Sequence, residues 1–318
     1  MMTFSVVIAA YEASRTVGGA IESVLAQTRE DFEIVVVDDG SRDSTAAAVE
    51  AIAAADARVK LHRQPNGGPS AARNRGISES TGELVSMLDS DDLWLPNYLA
   101  EMGGALEADP EAGFAYTEAW ELEEASGRFL KGTAMQRQQP PAGALPHERF
   151  VIELLKRNFI YNAVTVRRSV LDRVGVYDAS MTHGEDYELW LRIANSGFTA
   201  VRVPGPLAIK RDSVVSLSTD DRAMAAGVHK VYEAVLARHP ASSAVKAFAR
   251  ERLAELQELE RDRSQGHGRV LAGARGVLAA ATRRARIRLS QRATPPPGVA
   301  EAFPGLGRGN GGAGRRAR

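Results

Sequence analysis

The segment Leu84-Val85-Ser86-Met87-Leu88-Asp89-Ser90-Asp91-Asp92 sets three carboxylates within four positions, directly after an apolar run. Like charges this close repel one another unless a cation lies between them. Oxygen ligands of this kind suit Mg2+ or Mn2+, which keep several waters and also hold substrate phosphates. The same residues also suit a solvated Asp-rich turn. A second apolar run, Val35-Val36-Val37, ends in Asp38-Asp39-Gly40-Ser41. A carboxylate there can accept from a base N–H or a ribose hydroxyl, and Asp-Gly equally makes a plain turn, with Ser41 or Asp43 capping the next helix. Asn66-Gly67-Gly68-Pro69 leads into Arg73 and Arg75, an arrangement that can meet a phosphate. No Gly-Lys-Ser/Thr ending follows, so this is not a P-loop. Finally, His183-Gly184-Glu185-Asp186-Tyr187 opens an apolar-periodic stretch. Acids at a helix start complement its dipole, and one of them can act as a general base.

These groups work together only if the fold brings them to one place. Apolar runs over 4–10, 33–37, 59–62 and 84–88 predict strands, and 14–27, 41–55, 68–80 and 96–108 predict helices. Strands alternating with helices imply βαβ units and a largely parallel sheet, with the strand ends gathered on one edge. Tyr11, Asp38, Asp39 and Asp89 to Asp92 should therefore converge where open α/β sheets bind ligands. Beyond Gly113 the pattern predicts strands at 114–116, 163–166 and 200–203, a Gln/Pro-rich loop at 136–146, and helices at 149–156 and 185–195. Residues 222–263 read as helical with a break at His239-Pro240. The expected division is a nucleotide-binding half at 1–110, an acceptor-binding half at 111–221, C-terminal helices at 222–264 and a basic tail at 265–318, partly disordered.

Composition narrows the function classes. Lys and Arg balance Asp and Glu at 40 each, so no net field favours nucleic acid. The chain has no cysteine, which excludes disulfides and thiolate metal sites. No signal-peptide pattern and no run of membrane-spanning length is present, so a cytoplasmic location is expected. Residues 265–318 carry eleven Arg and a single acid, Glu301. Val270, Ala274, Val277, Ala281 and Ala285 can share one helical face there. Such a tail permits peripheral binding to anionic lipid, non-specific contact with nucleic acid, or no partner at all.

The order of these motifs is more specific than any one of them. Phe4 to Tyr11, Ala20 to Thr28, Phe32 to Ser41, Gly68 to Gly76, Asp89 to Asp92 and Glu185-Asp186 together resemble the family 2 inverting glycosyltransferases. The resemblance covers residues 3 to 205 and not the tail. It implies a GT-A fold, which is α/β, with a Rossmann-like, largely parallel mixed sheet flanked by helices. It implies a nucleotide-sugar donor, a UDP-sugar first, and a glycan, lipid-linked or protein acceptor. It also implies Mn2+ or Mg2+ as cofactor. By the same carry-over, Ala9, Tyr11 and Asp39 surround the donor base and ribose, with Asp38 supporting the turn. Arg73 lies near the donor phosphates. Asp91 contacts ribose and metal, and Asp92 and Asp89 are metal ligands. Asp186 is the catalytic base and Glu185 supports the acceptor. Ala9 and Ala10 stand where the family often has Thr or Pro, and Glu12 where it often has Asn. A sugar-phosphate nucleotidyltransferase is the enzymatic alternative; it calls for a Gly-rich basic loop after the first strand, where Tyr11-Glu12-Ala13-Ser14 stands here. The remaining alternative is a non-catalytic nucleotide- or sugar-binding module with a basic tail.

Overall fold

Strand β1 (Phe4–Ala10) is almost wholly buried, and its side chains alternate between two cores. Helix α1 (Val17–Leu25) follows, then β2 (Phe32–Asp38), α2 (Thr45–Ala53), β3 (Val59–Arg63), α3 (Pro69–Glu79) and β4 (Leu84–Asp89). The chain then runs through β5 (Leu93–Trp94), α4 (Tyr98–Ala108), β6 (Ala112–Glu123), β7 (Arg128–Thr133), α5 (His147–Lys156) and β8 (Val164–Arg167). It continues with α6 (Arg168–Val174), α7 (Glu185–Asn195), β9 (Thr199–Asp212), α8 (Asp221–Ala237) and α9 (Ser243–Ser264). A two-residue strand β10 (Gln291–Arg292) and a short helix α10 (Val299–Ala302) close the described chain. This computed structural model describes residues 2–124, 126–133, 146–160, 163–212, 221–264, 291–292, 295–296, 298–303 and 306.

The strands form one mixed sheet in the order β10-β7-β6-β8-β4-β1-β2-β3. β3, β2, β1 and β4 are parallel neighbours. β8 is inserted antiparallel between β4 and β6, and β9 runs parallel to β6 on its other side and pairs with β5. Val6 and Ile8 of β1 meet α1 and α4 in one core; Val7 meets α5, α7, α8 and α9 in the other. The sheet is thus the middle of three layers, and the carboxyl ends of β1, β2 and β4 come out on one edge, as the alternation of strands and helices requires.

The N-terminal elements match the sequence expectations to within a few residues. The second half is more regular than its sequence reads. β6 has 12 residues and β9 has 14, where short strands at 114–116 and 200–203 were expected. Pro204, Gly205 and Pro206 give the look of a strand end. The chain carries on because β6 shifts register opposite them, at Tyr116 to Ala119, and the Thr117 hydroxyl donates to the Gly205 carbonyl at 2.7 Å. β5, β7, α6, β10 and α10 carry no clear periodic signal. Part of the basic tail returns to the domain: β10 pairs with β7, and Val299 is buried against Leu93, Phe129 and Ile209. The helical face expected over 270–285, and the loop at 136–146 apart from Pro146, lie outside the described residues.

Candidate active site

The edge where the motifs gather starts with the loop after β1. Tyr11 is 52% exposed, standing out over the carboxyl ends of the strands. Glu12 has φ +49, the left-handed region that Asn tolerates better than most residues. Its carboxylate compensates by accepting the Arg42 N–H at 2.7 Å, while its own N–H donates to the Ser41 hydroxyl at 3.0 Å. The next two N–H groups, of Ala13 and Ser14, donate to Thr45 and Asp43. The loops after β1 and β2 are therefore stitched into one wall. Ala9 sits one register step inside that wall, beside Val37 of β2 and Asp89 of β4.

Asp38 and Asp39 divide the work at the end of β2. Asp38 is fully buried and accepts from the Ser41 N–H and from Arg63 Nε, each at 3.0 Å. It holds the turn. Asp39 accepts from Gln64 Nε2 at 2.8 Å, from the Gly67 N–H at 2.9 Å and from the Gly68 N–H at 2.8 Å. Those bonds pin the Gly-rich loop, whose Gly68 has φ +85, to the strand end. An ionised carboxylate offers about four lone-pair sites, so Asp39 keeps capacity for a ligand N–H.

Asp89, Asp91 and Asp92 present carboxylate oxygens that all lie within 4.8 Å of one another. Among the described residues no other such acid or histidine cluster is found. Burial, and then the Asp89 charge, push the Asp91 carboxyl up to about 6, against the pull of Lys210 and Arg211. Burial with the Asp91 and Asp89 charges holds Asp92 well above the usual carboxylate range. Asp92 Oδ1 accepts the Arg211 N–H at 2.9 Å, and Arg211 Nε donates to the Asp91 carbonyl. Hard oxygen donors converging at this spacing, short of positive charge, fit a divalent cation that keeps its other positions for water and phosphate.

Arg73 of α3 joins the two acidic motifs. Its Nη1 donates to Glu185 Oε1 at 2.8 Å and its Nη2 to Asp89 Oδ1 at 2.9 Å. Burial works against its charge, but the Asp89 and Glu185 carboxylates outweigh it and hold the guanidinium firmly protonated. Glu185 and Asp186 open α7 behind Gly184, whose φ of +74 turns the chain into the helix. Asp186 Oδ1 accepts the Tyr187 N–H at 2.6 Å. Its Oδ2 accepts no bond among the described residues. Burial first and the Glu185 charge second push the Asp186 carboxyl up to about 7. A carboxylate with one open oxygen and an affinity for protons near neutrality can take a proton from a hydroxyl.

Arg73 thus links Asp89 to Glu185, the neighbour of Asp186. Asp39 is linked instead to the Gly-rich loop, and Asp38 to Ser41 and Arg63. The sequence reading passed over Lys210 and Arg211, which sit beyond the apparent end of β9, and Gln64, which follows β3. It also passed over Tyr177, whose ring lies 5.4 Å beneath the Arg73 guanidinium. A strand pattern carried through Pro206 to Ile209 is the one signal that leads to the basic pair.

Residues 5–174 match the family described as Glycosyl transferase family 2. The succinoglycan biosynthesis protein ExoU of Rhizobium meliloti (strain 1021) is 29% identical over 283 residues, covering 83% of this chain and 80% of that protein. ExoO of the same organism is 36% identical over 188 residues, covering 58% of this chain and 53% of its own. An uncharacterized glycosyltransferase of Rickettsia felis is 30% identical over 192 residues, and the match spans only 31% of that longer protein. Among solved structures, S. aureus TarS 1-349 in complex with UDP-GlcNAc superposes with a TM-score of 0.60 at 18% identity, over 83% of this chain and 73% of that one. The mannosyltransferase PcManGT from Pyrobaculum calidifontis, in complex with GDP-Man and Mn2+, also gives 0.60 at 18% identity, over 94% and 78%. The mixed sheet with its flanking helices is the GT-A fold of those neighbours. With the family match covering more than half of the 318 residues, the chain belongs to glycosyl transferase family 2.

Proposed function

We propose that the protein transfers a sugar from a nucleotide-diphosphate sugar, a UDP-sugar in the first instance, to an acceptor hydroxyl with inversion, in the synthesis of a polysaccharide. The observation that carries this reading is Asp186, raised to about 7 with an open oxygen and linked through Glu185 and Arg73 to the Asp89 cluster. Asp186 takes the proton of the acceptor hydroxyl as that oxygen attacks the anomeric carbon. A retaining route needs a second carboxylate placed as nucleophile. The nearest candidate, Glu185, is held in its ion pair with Arg73, which favours a single displacement.

On the donor side, Asp39 accepts an N–H of the base and Tyr11 lies over the base or ribose. Asp89, Asp91 and Asp92 are the residues that would hold Mn2+ or Mg2+. Such an ion supplies positive charge against the diphosphate leaving group. Arg73 keeps three of its five N–H donors for phosphate after binding its two carboxylates. The relatives named for succinoglycan biosynthesis support a polysaccharide acceptor, and TarS with UDP-GlcNAc supports a UDP-sugar.

The test is a screen of UDP- and GDP-sugars for nucleotide release with and without Mn2+. At least one UDP-sugar should turn over, EDTA should stop it, and Asp186→Asn should abolish turnover while UDP still binds. Full turnover by Asp186→Asn would remove it from the role of base, and turnover of GDP-sugars alone would overturn the donor class.

A further inference from the structure

Tyr177 lies between α6 and α7 and is fixed from several sides. Its N–H donates to Asn74 Oδ1 at 2.9 Å and its carbonyl accepts from Asn74 Nδ2 at 2.8 Å. Its ring sits under the Arg73 guanidinium and meets Trp190 edge-on, with centroids 6.4 Å apart. With backbone and ring both held, the hydroxyl has little freedom of position. It is buried, in a residue 3% exposed, and has no hydrogen-bond partner among the described residues. Buried phenols ordinarily find one, and an orphan polar group of this kind calls for an explanation.

Its surroundings supply that explanation. Trp190, which the ring meets edge-on, follows Asp186 by one turn on the same face of α7, and Arg73, over the ring, bonds Glu185 and Asp89, so the charged groups Arg73, Asp186, Glu185 and Asp89 surround Tyr177 from α3, α7 and β4. Glu185 Oε1 and Asp89 Oδ1 already accept from Arg73. Asp186 accepts only from its neighbour's backbone. A buried donor without a partner therefore lies beside a half-buried carboxylate that keeps one oxygen open.

We propose that Tyr177 is a positioning residue for Asp186, its hydroxyl donating to the open carboxylate oxygen, directly or through one ordered water, once the nucleotide and its metal are bound. The inference rests on the reading of Asp186 as the base. A hydrogen bond donated to the charged form keeps a carboxylate ionised as water is excluded around it, and it turns the remaining lone pairs toward the incoming hydroxyl. In the resting protein the hydroxyl is a small local cost of the kind functional sites retain.

Tyr177→Phe removes one oxygen and keeps the ring contacts. With the donor that the wild type uses, the acid limb of the kcat–pH profile should move up by about one pH unit. At pH 7 that lowers kcat by about fivefold. The deficit should close by pH 9, and the KM for the donor should not change. The melting temperature should hold or rise, since an orphan hydroxyl has been removed. An unmoved kcat–pH profile, or an equal loss at every pH accompanied by a lower melting temperature, would overturn the proposal. A readout independent of turnover is the 13C carboxyl titration of Asp186 in the enzyme loaded with UDP and Mg2+, its signal identified by its loss in Asp186→Asn. Tyr177→Phe should raise that midpoint, and an unchanged midpoint overturns the proposal even if no donor is found. Absence of turnover by the wild type with every nucleotide-sugar would count against the base reading instead.

Discussion

On the proposed function Asp186 must lose a proton to act as the base, so its environment would set the working pH. Burial raises its carboxyl most, Glu185 raises it further, and Arg73 pulls the other way, with the balance at about 7. Below that value kcat/KM should fall about tenfold per pH unit, and above it the rate should level off. Glu185→Gln removes the nearest like charge and also frees Arg73 from its ion pair; both changes favour the ionised Asp186. The acid limb should therefore move below pH 7 in Glu185→Gln, whatever happens to acceptor affinity, and a limb that stays at 7 or rises would show that burial alone sets it. The linkage to stability has the opposite sense from an ordinary salt bridge. A carboxyl raised in the folded state is a cost fully present above pH 7, relieved as pH falls toward the usual carboxylate range. The same residue thus favours function at the pH where it most disfavours folding.

At the scale of elements, α3 carries the most consequence for its length. Gly76 lets it lie directly on β1: a Cβ there would stand 2.3 Å from Val7 Cγ1. Gly76→Ala should therefore push α3 off the sheet, at about 1–3 kcal/mol for overpacking, and displace Arg73 one turn earlier. Stability and turnover should fall together. Gly104→Ala on α4, where the added methyl meets nothing within 4 Å, is the control and should be neutral or slightly stabilising. A Gly76→Ala protein that melts and turns over like the wild type would show that the contact yields freely. The helix also shows where sequence reading stops. β1, β2 and β4 are legible because buried parallel strands are continuous apolar runs, and the acids at their ends follow from that. α7 is legible because its acids mark an N-terminus. The use Arg73 makes of Asp89 and Glu185, 16 and 112 residues away, is not legible, since no local pattern records which carboxylate a guanidinium will meet. Lys210 and Arg211 were hidden for a different reason: Pro204 and Pro206 break the strand pattern ahead of them.

Across the whole molecule, the C-terminal helices brace α7, the helix that carries Asp186. Val231, Tyr232 and Val235 of α8 and Val245, Ala249 and Leu256 of α9 share one core with α5 and α7. A polar chain runs through that core. His239 Nε2 donates to Glu188 Oε1 at 2.9 Å, and Asn195 Nδ2 lies 3.3 Å from its Nδ1. Glu188 also accepts from Arg192, whose Nη groups reach on to the carbonyls of Val174 and Val176. The segment that positions Tyr177 is thereby tied, through α7, to the end of α8. Burial opposes the charge on Glu188, and the bonds from His239 and Arg192 overcome it, holding its carboxyl below the usual range. That stabilisation is present above the usual carboxylate range and is lost as pH falls through the lowered value. His239→Ala takes away one of the two partners of a buried carboxylate and should cost about 1–3 kcal/mol, read as a lower melting temperature at pH 7. Because α7 is loosened at its base, kcat should drop as well, while UDP affinity, which the proposed function assigns to Asp39 and its glycine loop, should hold. His239→Gln keeps an N–H donor and should recover part of both losses. An equal loss of UDP affinity would mean that the two halves are not braced separately. An unchanged melting temperature would mean that the buried histidine contributes nothing to holding α7 in place.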